Sequence, residues 1–193
     1  MRTRFVWIGI VMSALTGGCA EDQGATCEPL AEGERKVLVD HALWRLATPE
    51  EDPWRAFRPD DVTCPQNARQ PEDFAGTPSF GIDTTNCGYT TVVQETLVDA
   101  CRGDNAFVWM WRYALTGPEG AEAHIAITIG DEPLFEDVVP IPTSSDLKVK
   151  GYALAEDHPA GTKVFFHVRN HGSNTYQLLE LARCKGECVP TAP

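Results

Sequence analysis

From Ser79 onward the chain is a succession of short apolar runs divided by turn residues, and this spacing limits its possible folds more than any other feature. The runs are SFGIDT, YTTVVQ, AFVWMWRYAL, AHIAITI, LFEDVVPI, LKVKGYAL, KVFFHV and TYQLLEL, eight candidate strands in about 100 residues. No interval between them can hold a crossover helix, so the strands must pair antiparallel. The pattern predicts an all-β fold, an antiparallel, jelly-roll-like β-sandwich, and excludes βαβ units. In ITIGDEPLF, Gly130-Asp131 reads as the two-residue turn of a hairpin. RNHGSNT reads as a longer turn, with Gly172 supplying positive φ and asparagine side chains capping local backbone. Pro140 and Pro142 confine their segment to a sheet edge or a strand end.

The region before Ser79 is less regular. ERKVLVDHALWRLA fits neither the helical nor the strand period and reads as one short helix or an extended segment. TPEEDPWRAFRPDDVTCPQ, rich in proline and aspartate, predicts a loop on the outside of the domain. The expected architecture is therefore a sandwich with an irregular N-terminal segment packed on it.

Period-two alternation assigns faces. In AFVWMWRYAL, Phe107, Trp109, Trp111, Tyr113 and Leu115 share one side, and Val108, Met110, Arg112 and Ala114 the other. Aromatics in register usually belong to a core, which places Arg112 on the non-core face. In AHIAITI the core face is Ala123, Ile125, Ile127 and Ile129, leaving His124 outside. In KVFFHV the core side is Val164, Phe166 and Val168, leaving Phe165, His167 and Arg169 outside. If these strands are neighbours, Arg112, His124, His167 and Arg169 form one polar face, either a buried network or the floor of a binding groove.

The first residues constrain location. Arg2 and Arg4 precede an apolar stretch, Phe5 to Leu15, too short to span a bilayer and suited to a signal-peptide core. The following LTGGC resembles the bacterial lipobox, with Thr16 where an aliphatic residue is usual. That resemblance implies cleavage before Cys19, acylation of its sulfur, and, with Ala20 next, delivery to the outer membrane. The membrane is then a partner through the lipid anchor, and several acyl chains hold such an anchor stably. The division expected is 1–18 signal peptide, 19–27 lipidated cysteine and tether, 28–188 a single β-sandwich domain, and 189–193 a tail.

Beyond Cys19 there remain Cys27, Cys64, Cys87, Cys101, Cys184 and Cys188, an even set in an exported chain, which reads as up to three disulfides whose connectivity the sequence does not fix. Cys64 with Cys87 is the first choice because both flank the start of the β-rich region. Cys184 with Cys188 closes a very small loop, and Cys27 with Cys101 follows by elimination.

PAGTKVFFHVRNHGSNTYQLLEL, AEAHIAITIG and NCGYTTVVQ are similar to segments of a group of uncharacterised exported bacterial proteins. The resemblance runs from about Cys64 to Leu181. It implies a domain similar to the jelly roll of carbohydrate-binding modules and implies no activity.

The chain has no G-x-S-x-G elbow, H-E-x-x-H, P-loop or G-x-G-x-x-G, so it is read as a non-enzyme without cofactor. The carboxylate runs Glu50-Glu51-Asp52 and Asp60-Asp61 read as solvated. A net charge of −12 leaves no footprint for nucleic acid. The function expected is a structural module or one that binds a glycan, extracellular polymer or protein partner. Trp109, Trp111 and Tyr113, or Trp44, Trp54, Phe57 and Tyr176 nearer the loops, are its candidate aromatic platforms. The alternative is a copper or zinc site made by His124, His167 and His171.

Overall fold

The structure, a computed structural model, describes residues 27–190. The signal peptide and Cys19 lie outside the described residues. Three strands come from the irregular N-terminal third: β1 (Arg35–Val37), β2 (Arg45–Leu46) and β3 (Arg69–Phe74). All eight expected strands follow: β4 (Thr77–Asp83), β5 (Tyr89–Glu95), β6 (Asn105–Arg112), β7 (Ala121–Ile129), β8 (Glu132–Ile141), β9 (Asp146–Ala153), β10 (Lys163–Asn170) and β11 (Thr175–Cys184). The ambiguous segment 33–46 is extended, interrupted by a single 3-10 turn at His41–Leu43 whose first amides are capped by Asp40. Among the described residues no helix is long and apolar enough to cross a membrane.

Sheet A has the order β3-β4-β11-β6-β9, and sheet B the order β2-β5-β10-β7-β8, with every pairing antiparallel. From β4 to β11 the chain changes sheet at every connection except the β7–β8 hairpin, which makes the sandwich jelly-roll-like. That hairpin turns at Gly130-Asp131 with Gly130 at φ +54°. Pro71 and Pro140 lie on the edge strands β3 and β8, where a missing amide donor costs no ladder bond.

The core lies between the sheets. Ile125, Ile127 and Ile129 of β7 and Val164, Phe166 and Val168 of β10 meet Phe80, Ile82, Tyr176, Leu178 and Leu181 of sheet A. Each such side chain contributes about 1.5–3 kcal/mol on burial. Trp44 and Tyr176, expected near the surface, are buried here at 7% and 0% exposure. Polar closures seal the ends. Arg183, 2% exposed, pairs with Asp104 at 3.3 Å and donates to the carbonyl of Glu28 at 3.1 Å. At the other end Arg112 donates to the carbonyl of Ser144 and lies 3.6 Å from Asp146.

The alternation in β6 holds, but its direction is reversed. Ala106, Val108 and Met110 face the core, while Phe107, Trp109 and Trp111 face outward. Both sides of this strand are apolar. The inward space, already filled by Trp44, Phe80, Phe166 and Tyr176, takes the smaller set. Leu115 nevertheless enters the core, because the ladder ends at Arg112 and strict alternation ends with it.

The disulfides are Cys27–Cys101, Cys64–Cys87 and Cys184–Cys188. Gly172 does not adopt positive φ. Glycine is needed there because a Cβ would stand 2.2 Å from the carbonyl oxygen of Thr116. The nearby asparagines also act at long range: Asn174 donates to and accepts from the backbone of Thr116, and Asn170 donates to Thr84.

Candidate functional site

Two outer faces could carry a function, and the polar one on sheet B comes first. His124 of β7 stands directly opposite Arg169 of β10 in the ladder, and His167 lies one diagonal away. The two imidazole centroids are 5.2 Å apart. This face is covered. Residues 48–63 run across it as a strap, placing the Trp54 ring on His167 at 4.7 Å in a stacked geometry and edge-on to His124 at 6.3 Å. Phe57 extends the strap over Arg169 at 5.2 Å.

The strap is fastened by Asp52, only 2% exposed. It accepts from the Tyr89 hydroxyl at 2.7 Å, the Thr91 hydroxyl at 2.9 Å and the Trp54 amide at 2.9 Å, with Arg58 at 3.4 Å. Because Thr91 spends its proton on Asp52, it must accept from Nδ1 of His167 at 2.8 Å, which assigns the Nδ1–H tautomer. Nε2 of His167 is then a buried lone pair with no partner among the described residues. Burial, reinforced by the neighbouring His124 and Arg169, pushes the His167 pKa down to about 3. His167 is neutral, fully enclosed and fixed: a structural network and not an accessible base.

The remaining sequence candidates disperse. Arg112 belongs to sheet A and lies on the inward side of β6, closing one end of the core, so it does not join His124, His167 and Arg169. The cause is sheet membership: β6 pairs with β11 and β9, not with β7 or β10, so neither orientation of the strand brings Arg112 to that face. His171 is exposed in the turn after β10. Among the described residues no group of three or more His, Cys, Asp or Glu side chains is arranged to hold a metal ion, and His171 stands in the turn apart from the paired imidazoles of His124 and His167. The carboxylates 50–52 are not simply solvated either. Asp52 is buried, and Glu51 is held well below the usual carboxylate range by Arg45, with Lys163 at 2.9 Å.

Sheet A has the opposite character. Along its central strand β6, Trp109 and Trp111 stand outward with Tyr113 just beyond, joined by Phe74 from β3. Trp111 and Tyr113 meet edge to face at 6.1 Å, and Phe74 contacts both, at 5.9 and 6.3 Å. Beside them on β9, Leu147 and Val149 pair with Trp111 and Trp109 and are 49% and 39% exposed; Tyr113 is 46% exposed. The polar groups on this face are the Gln177 carboxamide, which donates to Glu72 at 2.6 Å, and the Glu180 carboxylate opposite Trp109.

One edge of β11 is divided between two short partners, β4 up to Leu178 and β1 from Ala182, with a bulge at Leu179 between them. A cavity of about 530 Å³ opens over this gap, walled by Val37, Leu97, Leu179, Trp109, His41 and Glu180. Such a volume suits a small ligand or one unit of a polymer. The sequence signal for this face was the doubly apolar strand β6; nothing local announced His41 or Glu180, which come together only through the bulge.

No family model matches the chain, and no curated protein matches it. Among solved structures, it is similar to TmCBM61 in complex with β-1,4-galactotriose (10% identity, 78% of this chain and 99% of that chain, TM-score 0.41). It is also similar to the C-terminal family 22 carbohydrate-binding module of Clostridium thermocellum Xyn10B (9% identity, 63% and 83% coverage, TM-score 0.40). A third is a xylan-binding domain of family 22 (11% identity, 63% and 84% coverage, TM-score 0.37).

Proposed function

We propose that the domain is a non-catalytic binding module that holds an extracellular glycan against the outer face of sheet A. One observation carries this reading: the indoles of Trp109 and Trp111 and the ring of Tyr113 lie in a row outside the core, on a strand whose inward positions are fully occupied by other residues. Successive outward positions on a strand are about 6.8 Å apart, so the row forms an extended platform. Sugar rings present apolar C–H faces with hydroxyls at the rim. Aromatic faces bordered by the carboxylates of Glu72 and Glu180 offer the complementary surface. The module would be exported and tethered by acylation of Cys19, at the outer membrane, so that the platform meets polymer outside the cell. Three disulfides suit an oxidising compartment.

The test is affinity electrophoresis of the full chain carrying Cys19→Ala, in gels containing xylan, β-1,4-galactan or hydroxyethylcellulose. At least one polymer should retard the protein, and Trp111→Ala should abolish the retardation while leaving the far-ultraviolet circular dichroism unchanged. Equal retardation of Trp111→Ala, or none by any polymer, overturns the reading. Fatty-acid labelling that persists in Cys19→Ala overturns the anchor.

A further inference from the structure

The cavity over the bulge at Leu179 contains an arrangement that an aromatic platform does not need. Three of its wall residues carry buried polar atoms with no hydrogen-bond partner among the described residues: Nε1 of Trp109, Nδ1 of His41 and Oε1 of Glu180. Each such atom costs about 1–3 kcal/mol if left unpaired. Their roles are set by the bonds their neighbours make. Nε2 of His41 lies 3.1 Å from the Leu179 carbonyl, to which it can only donate, so Nδ1 is an acceptor. The indole N–H can only donate. The other carboxylate oxygen of Glu180 lies 3.2 Å from Arg35, leaving Oε1 to accept.

We infer that this cavity is the specificity subsite of the glycan face, taking the adjacent hydroxyl groups of one neutral sugar unit, with Trp109 donating to one hydroxyl and His41 and Glu180 accepting from the pair. A ligand here needs one acceptor and two donors, and two neighbouring hydroxyls supply both. Charge argues against the other classes. The charge of Arg35 is already paired with Glu180, and its Nη1 also donates to the Val189 carbonyl at 3.0 Å, so this wall carries no net positive charge to hold a phosphate or carboxylate. The chain's net charge of −12 repels anions further. An amine would have to sit beside the Arg35 guanidinium. Burial lowers the basicity of His41 and raises the pKa of Glu180, which suits both to a neutral ligand. Val37, Leu97 and Leu179 supply the apolar wall that a sugar's C–H face requires.

This inference rests on the glycan-binding reading, and the experiment separates the two. Xylotriose, cellotriose and β-1,4-galactotriose are titrated into the full chain carrying Cys19→Ala, followed by calorimetry and by the Trp109 indole N–H resonance, assigned through Trp109→Phe. One trisaccharide should bind and shift that resonance. Glu180→Gln and His41→Ala should each weaken it at least tenfold, with Glu180→Gln, an isosteric change, guarding against misfolding of the His41 variant. If Trp111→Ala loses binding while both cavity variants keep it, the platform stands and the subsite is overturned. If no trisaccharide and no polymer binds, the glycan reading itself fails. Binding of glucosamine or glucuronate in place of all three neutral sugars overturns the ligand class.

Discussion

On sheet B the outer face carries histidines and an arginine and lies under a strap; on sheet A the outer face carries half-buried tryptophans and stays open beside Tyr113, Leu147 and Val149. Ordinary expectation assigns them the other way round, with titratable groups exposed for chemistry and aromatics hidden for stability. The difference follows from how each face satisfies its side chains. The histidines of sheet B have a partner built into the chain, since Trp54 stacks on His167 and Asp52 collects the hydroxyls of Tyr89 and Thr91. The aromatics of sheet A have one another and Phe74; the Cys184–Cys188 loop covers Phe107 and reaches Trp109, while Tyr113 is left 46% exposed. Residue type therefore indicates which face is unusual, and coverage decides which face can act.

The contrast can be broken most forcefully at Asp52. Asp52→Ala should cost roughly 3–5 kcal/mol of unfolding free energy in urea titration, because Arg58 and two buried hydroxyls lose their acceptor together. A loss below about 1 kcal/mol would mean that the strap is not fastened there.

Acid tests the same face without a mutation. The folded pKa of His167, near 3, lies below its unfolded value of 6.5, so only the unfolded chain takes up the proton between them. Stability contributed by neutral His167 is intact above pH 6.5 and declines as pH falls towards 3, by roughly 2–3 kcal/mol between pH 6.5 and 4.5. Denaturant midpoints for wild type and His167→Gln should converge over that interval. Parallel curves would show that His167 is accessible to protons in the fold.

A pair of tryptophans sharpens the comparison directly. Trp54→Ala should lower stability by about 2 kcal/mol and leave glycan retention of the folded protein unchanged. Trp111→Ala should do the reverse, weakening retention at least tenfold, the effect of about 1.4 kcal/mol at a binding surface, for little loss of stability. Identical behaviour of the two variants would erase the distinction between the faces.

The smallest effect belongs to the strap's margin. Arg45, 53% exposed, pairs with Glu51 beside Lys163, and Arg45→Ala should cost less than about 1 kcal/mol by thermal unfolding. A larger loss would move the strap's attachment from Asp52 to its rim.

Much of this molecule was legible in its sequence, and the rest fails for identifiable reasons. The eight strands from β4 to β11 were readable because each has a clear period and bounding turn residues. β2 was missed because it is two residues long, and β3 because RQPEDF carries no apolar alternation; it is an edge strand held by β4 alone. The faces of β7 and β10 were readable because only one side of each is apolar. β6 was not, because both of its sides are, and the choice between them rests on what the opposite sheet already supplies. The strap left a trace in Trp54, a large aromatic in a proline-rich loop, but its acceptor, Asp52, looked like any surface carboxylate. His41 and Glu180 are far apart in sequence, and a bulge and two short strands are needed to bring them to one cavity.

The Cys27–Cys101 bond also has a mechanical meaning. Sequence order suggests that tension on the chain ahead of Cys27 would reach β1 first and peel it from β11. The bond instead routes the load from Cys27 into the connection between β5 and β6, at a residue 74 positions further along the chain. β5 lies inside sheet B between β2 and β10, and β6 inside sheet A between β11 and β9. A pull on the N-terminus is thereby shared by interior strands of both sheets at once, and the edge strand β1 is spared. A load entering ahead of Cys27 can thus be borne by the sandwich without unzipping its edge.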